Sequence, residues 1–262
     1  MKILIMTDLE GVAGYVSFDY DQASRNNEQG RRLLTAEVNA AVAGMIEAGA
    51  DDFLVFDGHG PGAIHYPDLH EAARLLHGRP VAPRSVRREI FTGFDAAVMI
   101  GQHAMAGVTR GNLHHTQSSR SIESYTLNGR LIGEIAQWAL YMGSFDIPLI
   151  FLSGDEAACD EVTTLVPGLT TAAVKVGLSR NSAVSLAHPA ACRLIREGSR
   201  AALTRHRAKP LAPVRWPGPY ILEKRFFHTD AVDAVRDNPA VEVVDNLTVR
   251  LRADRIQDIV YA

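Results

Sequence analysis

The sequence predicts an α/β fold: a mainly parallel sheet flanked by helices, with a small C-terminal α+β subdomain. Three observations predict it. Continuous apolar runs at residues 3–5, 53–56 and 96–100 each end in polar or glycine-rich residues. A stretch with apolar residues at helical spacing lies between at least the first two runs. A proline-rich connection at residues 209–219 then separates a final strand–helix–strand pattern from the rest. Strands that are apolar at every position are covered on both faces, as in parallel sheets sandwiched by helices. The expected division is an α/β core over residues 1–208 and a subdomain over 209–262 packed on it.

Each element has its own reason. Residues 3–5 form the first strand, and residues 12–24 are mixed in character and read as a loop. A helix is expected over 31–48, because Leu33, Leu34, Val38, Val42, Met45 and Ile46 recur at helical spacing and Gly49 stands where a helix would stop. A strand at 52–56 runs into the glycine-rich turn 57–62, and a second helix is expected around 67–76. The strand at 96–100 ends at Gly101, Gln102 and His103. Residues 121–127 and 130–132 read as a hairpin, since Asn128-Gly129 is a tight-turn signal. A helix over about 133–142 follows, with Ile135, Trp138, Ala139 and Met142 as its buried stripe. Beyond Pro148, a strand at 149–152 ends at Ser153, Gly154, Asp155 and Glu156. A strand at 171–176 and a helix at 189–206 complete the core. The tail reads as a strand at 220–225, a helix at 230–238 and a strand at 241–251.

The bulk properties narrow the function. A chain of 262 residues, 47% hydrophobic and 22% charged, can bury a full core. Its net charge is −3 and it has no long basic run, so nothing points to nucleic acid or an anionic membrane. The first apolar run is too short for a signal peptide, and no stretch approaches a membrane span. Cys159 and Cys192 make neither a disulfide framework nor a thiolate metal site, and a cytoplasmic location is expected.

The chemistry concentrates at strand ends. Asp8 and Glu10 lie two residues apart, so on an extended chain they point to the same face. Two carboxylates held close raise each other's pKa, and a divalent cation relieves that cost. In parallel sheets, ligands sit at the carboxyl ends of the strands. Asp8, Glu10, His59 and His103 all fall at that edge, and Glu134 joins them from the start of a predicted helix. Singly, each has a plain structural explanation. The histidines could satisfy backbone groups, and the helix dipole favours a carboxylate at Glu134. Together they offer imidazole nitrogen and carboxylate oxygen from four chain segments, the donor set of zinc and similar ions. Shared between two ions, with one carboxylate bridging, they would leave positions for water and substrate, a common arrangement for hydrolysis.

His114-His115-Thr116 is a second group. Neighbours on an extended chain face opposite sides, so at most one imidazole faces the crevice, where it could act as acid, base or nucleophile. Asp155 and Glu156 either hold a substrate ammonium or cap the next segment, with capping preferred. His65, His70 and His77 read as surface residues.

These residues carry a resemblance. Thr7-Asp8-Leu9-Glu10-Gly11, Asp57-Gly58-His59-Gly60, Gly101-Gln102-His103-Ala104, His115-Thr116, and Asn128-Gly129 followed by Gly133-Glu134 occur in an order and spacing that resemble the D-aminopeptidases of peptidase family M55. Ser153-Gly154-Asp155 and Val174-Lys175 continue the pattern, and the similarity covers roughly residues 1–200. The resemblance implies a zinc aminopeptidase with two zinc ions per subunit, acting on short peptides, D-amino-acid peptides among them. It makes Asp8 the ligand bridging both ions, Glu10 and His59 the ligands of one, His103 and Glu134 those of the other, and His115 the catalytic residue. It also implies a homo-oligomeric ring, a decamer being one candidate size, with active sites facing an internal chamber. The chain departs from the pattern at His114, beside His115, and at residues 175–182, which lack an expected aromatic. The second departure leaves the preference between D- and L-residues open. Other divalent ions, another dinuclear amidohydrolase or phosphoesterase, and a non-catalytic ring-forming relative are the alternatives.

Overall fold

A computed structural model describes residues 1–18 and 25–262. In chain order, β1 (Lys2–Thr7) is followed by α1 (Arg25–Glu47), β2 (Asp52–Asp57), β3 (Ala73–Leu76), α2 (Arg84–Phe91) and β4 (Ala96–Gln102). A hairpin of β5 (Ile122–Leu127) and β6 (Arg130–Ile132) leads to α3 (Glu134–Gly143), β7 (Leu149–Asp155), α4 (Glu156–Leu165), β8 (Thr170–Ser179), β9 (Ser182–Ser185) and α5 (His188–Ala208). The tail holds β10 (Tyr220–Phe226), α6 (Asp230–Asp233), β11 (Glu242–Val243), β12 (Thr248–Ala253) and α7 (Ile256–Ile259).

The apolar runs build the main sheet, in the order β3-β2-β1-β4-β7-β8-β9. Every pairing is parallel except that of β9, which turns back along β8. Alternation along each strand explains why the runs are apolar throughout. Ile3 and Ile5 pack with Phe53, Val55 and Val98 under α1 and α5, whereas Leu4 and Met6 pack with Leu54, Phe56 and Met99 on the opposite face. That second face is covered by α3, α4 and an antiparallel sheet, β11-β12-β10-β5-β6. The tail therefore shares its sheet with the hairpin that the chain inserts between β4 and β7. Asn128 (φ 50°) and Gly129 (φ 77°) at the hairpin tip both take the left-handed conformation that such a turn requires.

From β1 the chain builds outward to β2 and β3 on one side, then returns to β4 and builds to β7 and β8 on the other. The reversal lies between β1 and β4, and in open α/β sheets a crevice opens at the carboxyl ends of strands at such a switch point.

Several expected elements differ. The helix expected around 67–76 is a short 3₁₀ turn (Tyr66–Asp68) followed by β3. Leu69, Ala73 and Leu76 happen to lie at helical spacing, but residues 73–76 pair in register with Phe53–Phe56 of β2, and that ladder decides the conformation. The strand expected at 241–251 is two strands, β11 and β12. Asp245 turns the chain between them by accepting the Leu247 N–H at 2.7 Å. The helix expected at 230–238 shortens to α6. The helix α1 starts earlier than expected, and residues 19–24 of the expected loop lie outside the described residues. The elements α2, α4, β9 and α7 add to what the sequence pattern indicated. No helix among the described residues is long and apolar enough to cross a membrane.

Candidate metal centre

Three strands that end side by side supply the centre. The Asp8 N–H donates to the Ile100 carbonyl at 2.9 Å, and the Gly11 N–H donates to the Gly101 carbonyl at 2.8 Å, so the chain leaving β1 is stitched to the end of β4. The crossing is close. A Cβ on Gly11 would run into the Gln102 carbonyl, and Gly101, at φ 76°, sits equally tight against the Asp8 carbonyl. The two glycines thus allow Asp8 and Glu10 to turn into the crevice.

His59 is presented by the loop after β2. The Asp57 carboxylate accepts the N–H groups of Ala63 at 3.0 Å and Ile64 at 3.2 Å, folding the loop back. Arg79 donates to the carbonyls of His59, Gly60 and Asp57 and clamps it. His59 Nδ1 then lies 3.0 Å from Asp8 Oδ1 and 3.2 Å from Glu10 Oε2.

His103 approaches Asp8 from the other side. Its Nε2 lies 3.1 Å from Asp8 Oδ2 and 3.5 Å from Glu134 Oε1. Its Nδ1 is 2.8 Å from the Ala104 carbonyl. A carbonyl only accepts, so Nδ1 carries a proton and Nε2 is the nitrogen that faces the cluster. His115 is arranged alike. Its Nδ1–H donates to the Leu113 carbonyl at 2.9 Å, and its Nε2 lies 3.8 Å from Glu134 Oε1. The two imidazoles stack at 4.0 Å, with planes 14° apart. His114 turns elsewhere, its Nδ1 accepting the Gly107 N–H at 3.1 Å. Of the pair, His115 is the one that joins the cluster. Glu134, at the start of α3, is fixed by the Gln117 N–H, which donates to its Oε1 at 2.7 Å.

Asp8, Glu10 and His103 are almost fully buried. Burial alone would raise the Asp8 pKa, but the imidazoles of His103 and His59 outweigh it and hold Asp8 well below the usual carboxylate range. Burial opposes charge on both histidines too, yet Glu10 and Asp8 push His59 up, and Asp8 and Glu134 push His103 up. Glu134 is likewise lowered, against its own burial, mainly by His103. Each charge depends on the others, so removing one leaves its partners uncompensated.

The donor set fits divalent metal. Candidate ligand atoms of Asp8, Glu10 and His103 lie within 4.8 Å of one another, as do those of His103, His115 and Glu134. Glu10 Oε2 and His103 Nε2 are buried, and what each faces within 3.2 Å is another candidate ligand atom, His59 Nδ1 and Asp8 Oδ2 respectively. The atoms facing one another are carboxylate oxygens and imidazole nitrogens, a zinc-type set. His103 belongs to both groups, and His59 stands beside the first through its contacts with Asp8 and Glu10.

The structure adds residues that the sequence pattern did not single out. Gln102 Nε2 donates to Asp8 Oδ2 at 3.1 Å. Lys175, noted only within a motif, is buried in β8. Its ammonium donates to the carbonyls of Glu10 and Tyr15 and to Asn112 Oδ1, the last two at 2.6 and 2.7 Å. Burial lowers its pKa to about 8, against the pull of Asp155, Glu10 and other carboxylates. A lysine at an inward position of an otherwise apolar strand was the signal that could have marked it. Asp155 is a cap rather than an ammonium site. Its Oδ1 accepts the Ala158 N–H of α4 at 2.7 Å, its Oδ2 accepts the Asn112 N–H at 3.0 Å, and it is fully buried. Away from the cluster, His65 pairs with Asp68 at 2.9 Å and His77 stacks on Tyr66. The cluster opens into a cavity of about 610 Å³, on whose wall Asp8, Glu10, His59, His115 and Glu134 all lie.

Comparison with known proteins gives a consistent result. The family model Peptidase_M55, described as D-aminopeptidase, matches residues 1–262. A D-aminopeptidase of Bacillus subtilis (strain 168) is 33% identical over 216 residues, which cover 81% of this chain and 78% of that protein. The solved structure of the Zn-dependent D-aminopeptidase DppA from Bacillus subtilis, described as a self-compartmentalizing protease, superposes with a TM-score of 0.90 at 27% identity. It covers all of this chain and 94% of its own.

Proposed function

The chain belongs to peptidase family M55, the D-aminopeptidases, and we propose that it removes the N-terminal residue of short peptides, D-amino-acid peptides among them, at a dinuclear zinc site formed by Asp8, Glu10, His59, His103 and Glu134. It is a zinc-dependent hydrolase of peptide bonds. The observation that carries the two-ion reading is the position of Asp8. Its Oδ1 addresses His59 at 3.0 Å and its Oδ2 addresses His103 at 3.1 Å. One carboxylate thus stands between histidines from two different strand ends, as a bridging ligand must. Glu10 and His59 complete one side, and His103 and Glu134 the other.

Zinc, when bound, would supply Lewis acidity, polarising the scissile carbonyl and lowering the pKa of a water so that hydroxide is available to attack. The chain's own residues supply the rest. Gln102 and the Leu9 N–H, which reaches Asp8 Oδ1 at 2.8 Å, fix both oxygens of Asp8. Lys175 holds the Glu10 backbone in place. His115, its ring oriented by the Leu113 carbonyl, presents Nε2 at the cavity wall and moves a proton at the reacting centre.

Self-association is part of the proposal, with active sites facing an enclosed space; the related structure, described as self-compartmentalizing, supports it. A cytoplasmic location is also part of it, supported by two free cysteines, Cys159 and Cys192. The test is a panel of D- and L-aminoacyl anilides and a phosphoester with zinc-loaded and chelated protein. Release that depends on zinc is expected. A panel with no zinc-dependent release, or zinc-dependent cleavage of phosphoesters alone, would overturn the aminopeptidase reading.

A further inference from the structure

The same cavity is lined by a second set of residues that the proposed chemistry does not use. This second wall is built mainly from α2, α3 and the C-terminal residues, joined by Phe56 of β2, and it is aromatic. Phe56 stacks on Trp138 with ring centroids at 5.6 Å, Phe91 meets Trp138 edge-on at 5.7 Å, and Tyr141 meets Tyr261 edge-on at 5.5 Å. Within this apolar lining lie three groups that only donate or readily donate. The Arg87 guanidinium forms no hydrogen bond or ion pair among the described residues, and its Nε is buried. Trp138 Nε1 and the Tyr261 hydroxyl are also buried without a partner among the described residues. All three residues line the cavity. Burial keeps the Tyr261 hydroxyl protonated by raising its pKa far above the ordinary value, with Glu134 and Tyr141 adding to the rise and Arg87 opposing it.

The neighbouring arginines are already engaged. Arg84 donates to the Tyr261 carbonyl at 2.6 Å, and Arg88 pairs with Asp258 at 2.5 Å and reaches the Gln257 carbonyl at 3.1 Å. These contacts tie α2 to the C-terminal segment and place Tyr261 beside Arg87. Arg79, also on the cavity lining, spends its guanidinium on the carbonyls of Asp57, His59, Gly60 and Gly78. A guanidinium without an anion, flanked by a hydroxyl and an indole N–H in an aromatic recess, matches a carboxylate. Burying unpaired donors costs free energy that such a ligand would recover.

We infer that this wall is a carboxylate subsite, in which Arg87, helped by Tyr261 and Trp138, binds a carboxylate of the peptide whose amino end lies at the ligand cluster. The inference rests on the aminopeptidase reading. A dipeptide or tripeptide spans roughly 7–11 Å when extended, and a cavity of about 610 Å³ is of the size that encloses small ligands. The subsite would favour very short peptides with a free C-terminus, because in a long chain the carboxylate lies beyond the cavity. Arg87 would be a specificity-determining residue, remote from the bond cleaved.

The test compares three probes on the zinc-loaded protein: alanyl-alanine of the preferred chirality, its C-terminal amide, and alanyl-glutamate α-amide, whose only carboxylate is on the side chain. Turnover and equilibrium binding are both measured. The free acid is expected to exceed the amide in kcat/KM and in affinity by roughly tenfold to a hundredfold. Arg87→Gln should erase the difference by raising KM for the free acid, with zinc content at the parent level. Arg87→Lys should restore part of it, and Tyr261→Phe should reduce it by a few-fold. Recovery with the side-chain carboxylate also supports the subsite and assigns its source. Equal treatment of acid and amide by the parent protein, or equal loss of both in Arg87→Gln, overturns it. Binding that prefers the acid without any hydrolysis would support the subsite and sink the aminopeptidase reading; hydrolysis without preference would do the reverse.

Discussion

The two walls of the cavity are built by different means. The ligand wall is the end of a parallel sheet: Asp8 and Glu10 leave β1, His59 follows β2 and His103 follows β4, with backbone hydrogen bonds locking one strand end to the next. The aromatic wall has no such frame. Arg87 and Phe91 on α2, Trp138 and Tyr141 on α3, and Tyr261 after α7 meet only because tertiary contacts such as Arg84–Tyr261 and Arg88–Asp258 draw them together. The sheet edge provides fixed geometry, which metal chemistry needs. The assembled wall provides shape and unpaired donors, which substrate choice needs. Substitutions on the first wall should therefore change zinc or catalysis, and those on the second should change KM.

The largest effect separates catalysis from binding within the ligand wall. His115→Ala should lower kcat by roughly 10²–10⁴-fold, with zinc content and the KM for short peptides little changed. Loss of zinc in that variant would make His115 a ligand rather than a proton carrier. Next comes the support behind the wall. Lys175→Met strands two carbonyls and Asn112 Oδ1 in the interior and leaves buried carboxylates without their cation, so unfolding in denaturant should show a loss of about 3–5 kcal/mol. Zinc titration should show affinity reduced about 10–100-fold, the usual cost of losing a group that orients a ligand.

Cutting the tie that holds the aromatic wall should do less. Arg88→Ala removes a partly exposed ion pair with Asp258, worth about 1 kcal/mol or less. Steady-state kinetics should show a KM for short peptides raised a few-fold and zinc content unchanged. A fall in zinc would mean that the walls are not independent.

The last effect is a slope, read on stability against pH rather than on kinetics or zinc. Glu37 in α1 is fully buried, accepting the Ala13 N–H at 3.0 Å, and burial raises its pKa from 4.5 to about 8. Below the unfolded value, both states hold the proton. Between 4.5 and about 8 the folded state keeps it and the unfolded state releases it, so this group's contribution to stability falls as pH rises through that window. Denaturation at several pH values should show Glu37→Gln removing that decline, since glutamine can still accept from Ala13. An unchanged slope would place the titration elsewhere.

The same contrast decided what could be read from the sequence. The strands β1, β2, β4 and β7 were legible because both their faces are covered, which leaves unbroken apolar runs. Their polar ends were legible for the same reason, so Asp8, Glu10, His59 and His103 could be placed at one edge without structural knowledge. Glu134 was visible at a helix start, but its approach to His103 and His115 depends on the β5–β6 hairpin that leads into α3. Between His114 and His115, local pattern offered no choice; the backbone settles it by turning His114 toward Gly107. The aromatic wall was not legible. Four of the eight residues of α2 are charged, and only Phe91 is buried, so it has no apolar stripe to notice. Arg87 and Tyr261 lie 174 residues apart and meet through contacts that no local period encodes. The error at β3 has the same origin: pairing with β2 overrode a helical coincidence.

The central claim is that one carboxylate, Asp8, serves two ions. Elemental analysis of zinc in the freshly purified protein and two variants tests it most directly. About two zinc per chain are expected in the parent protein, close to none in Asp8→Ala, and about one in Glu10→Gln. Zinc retained in Asp8→Ala at the parent level, or a single zinc per chain that Glu10→Gln and Asp8→Ala abolish equally, would contradict it.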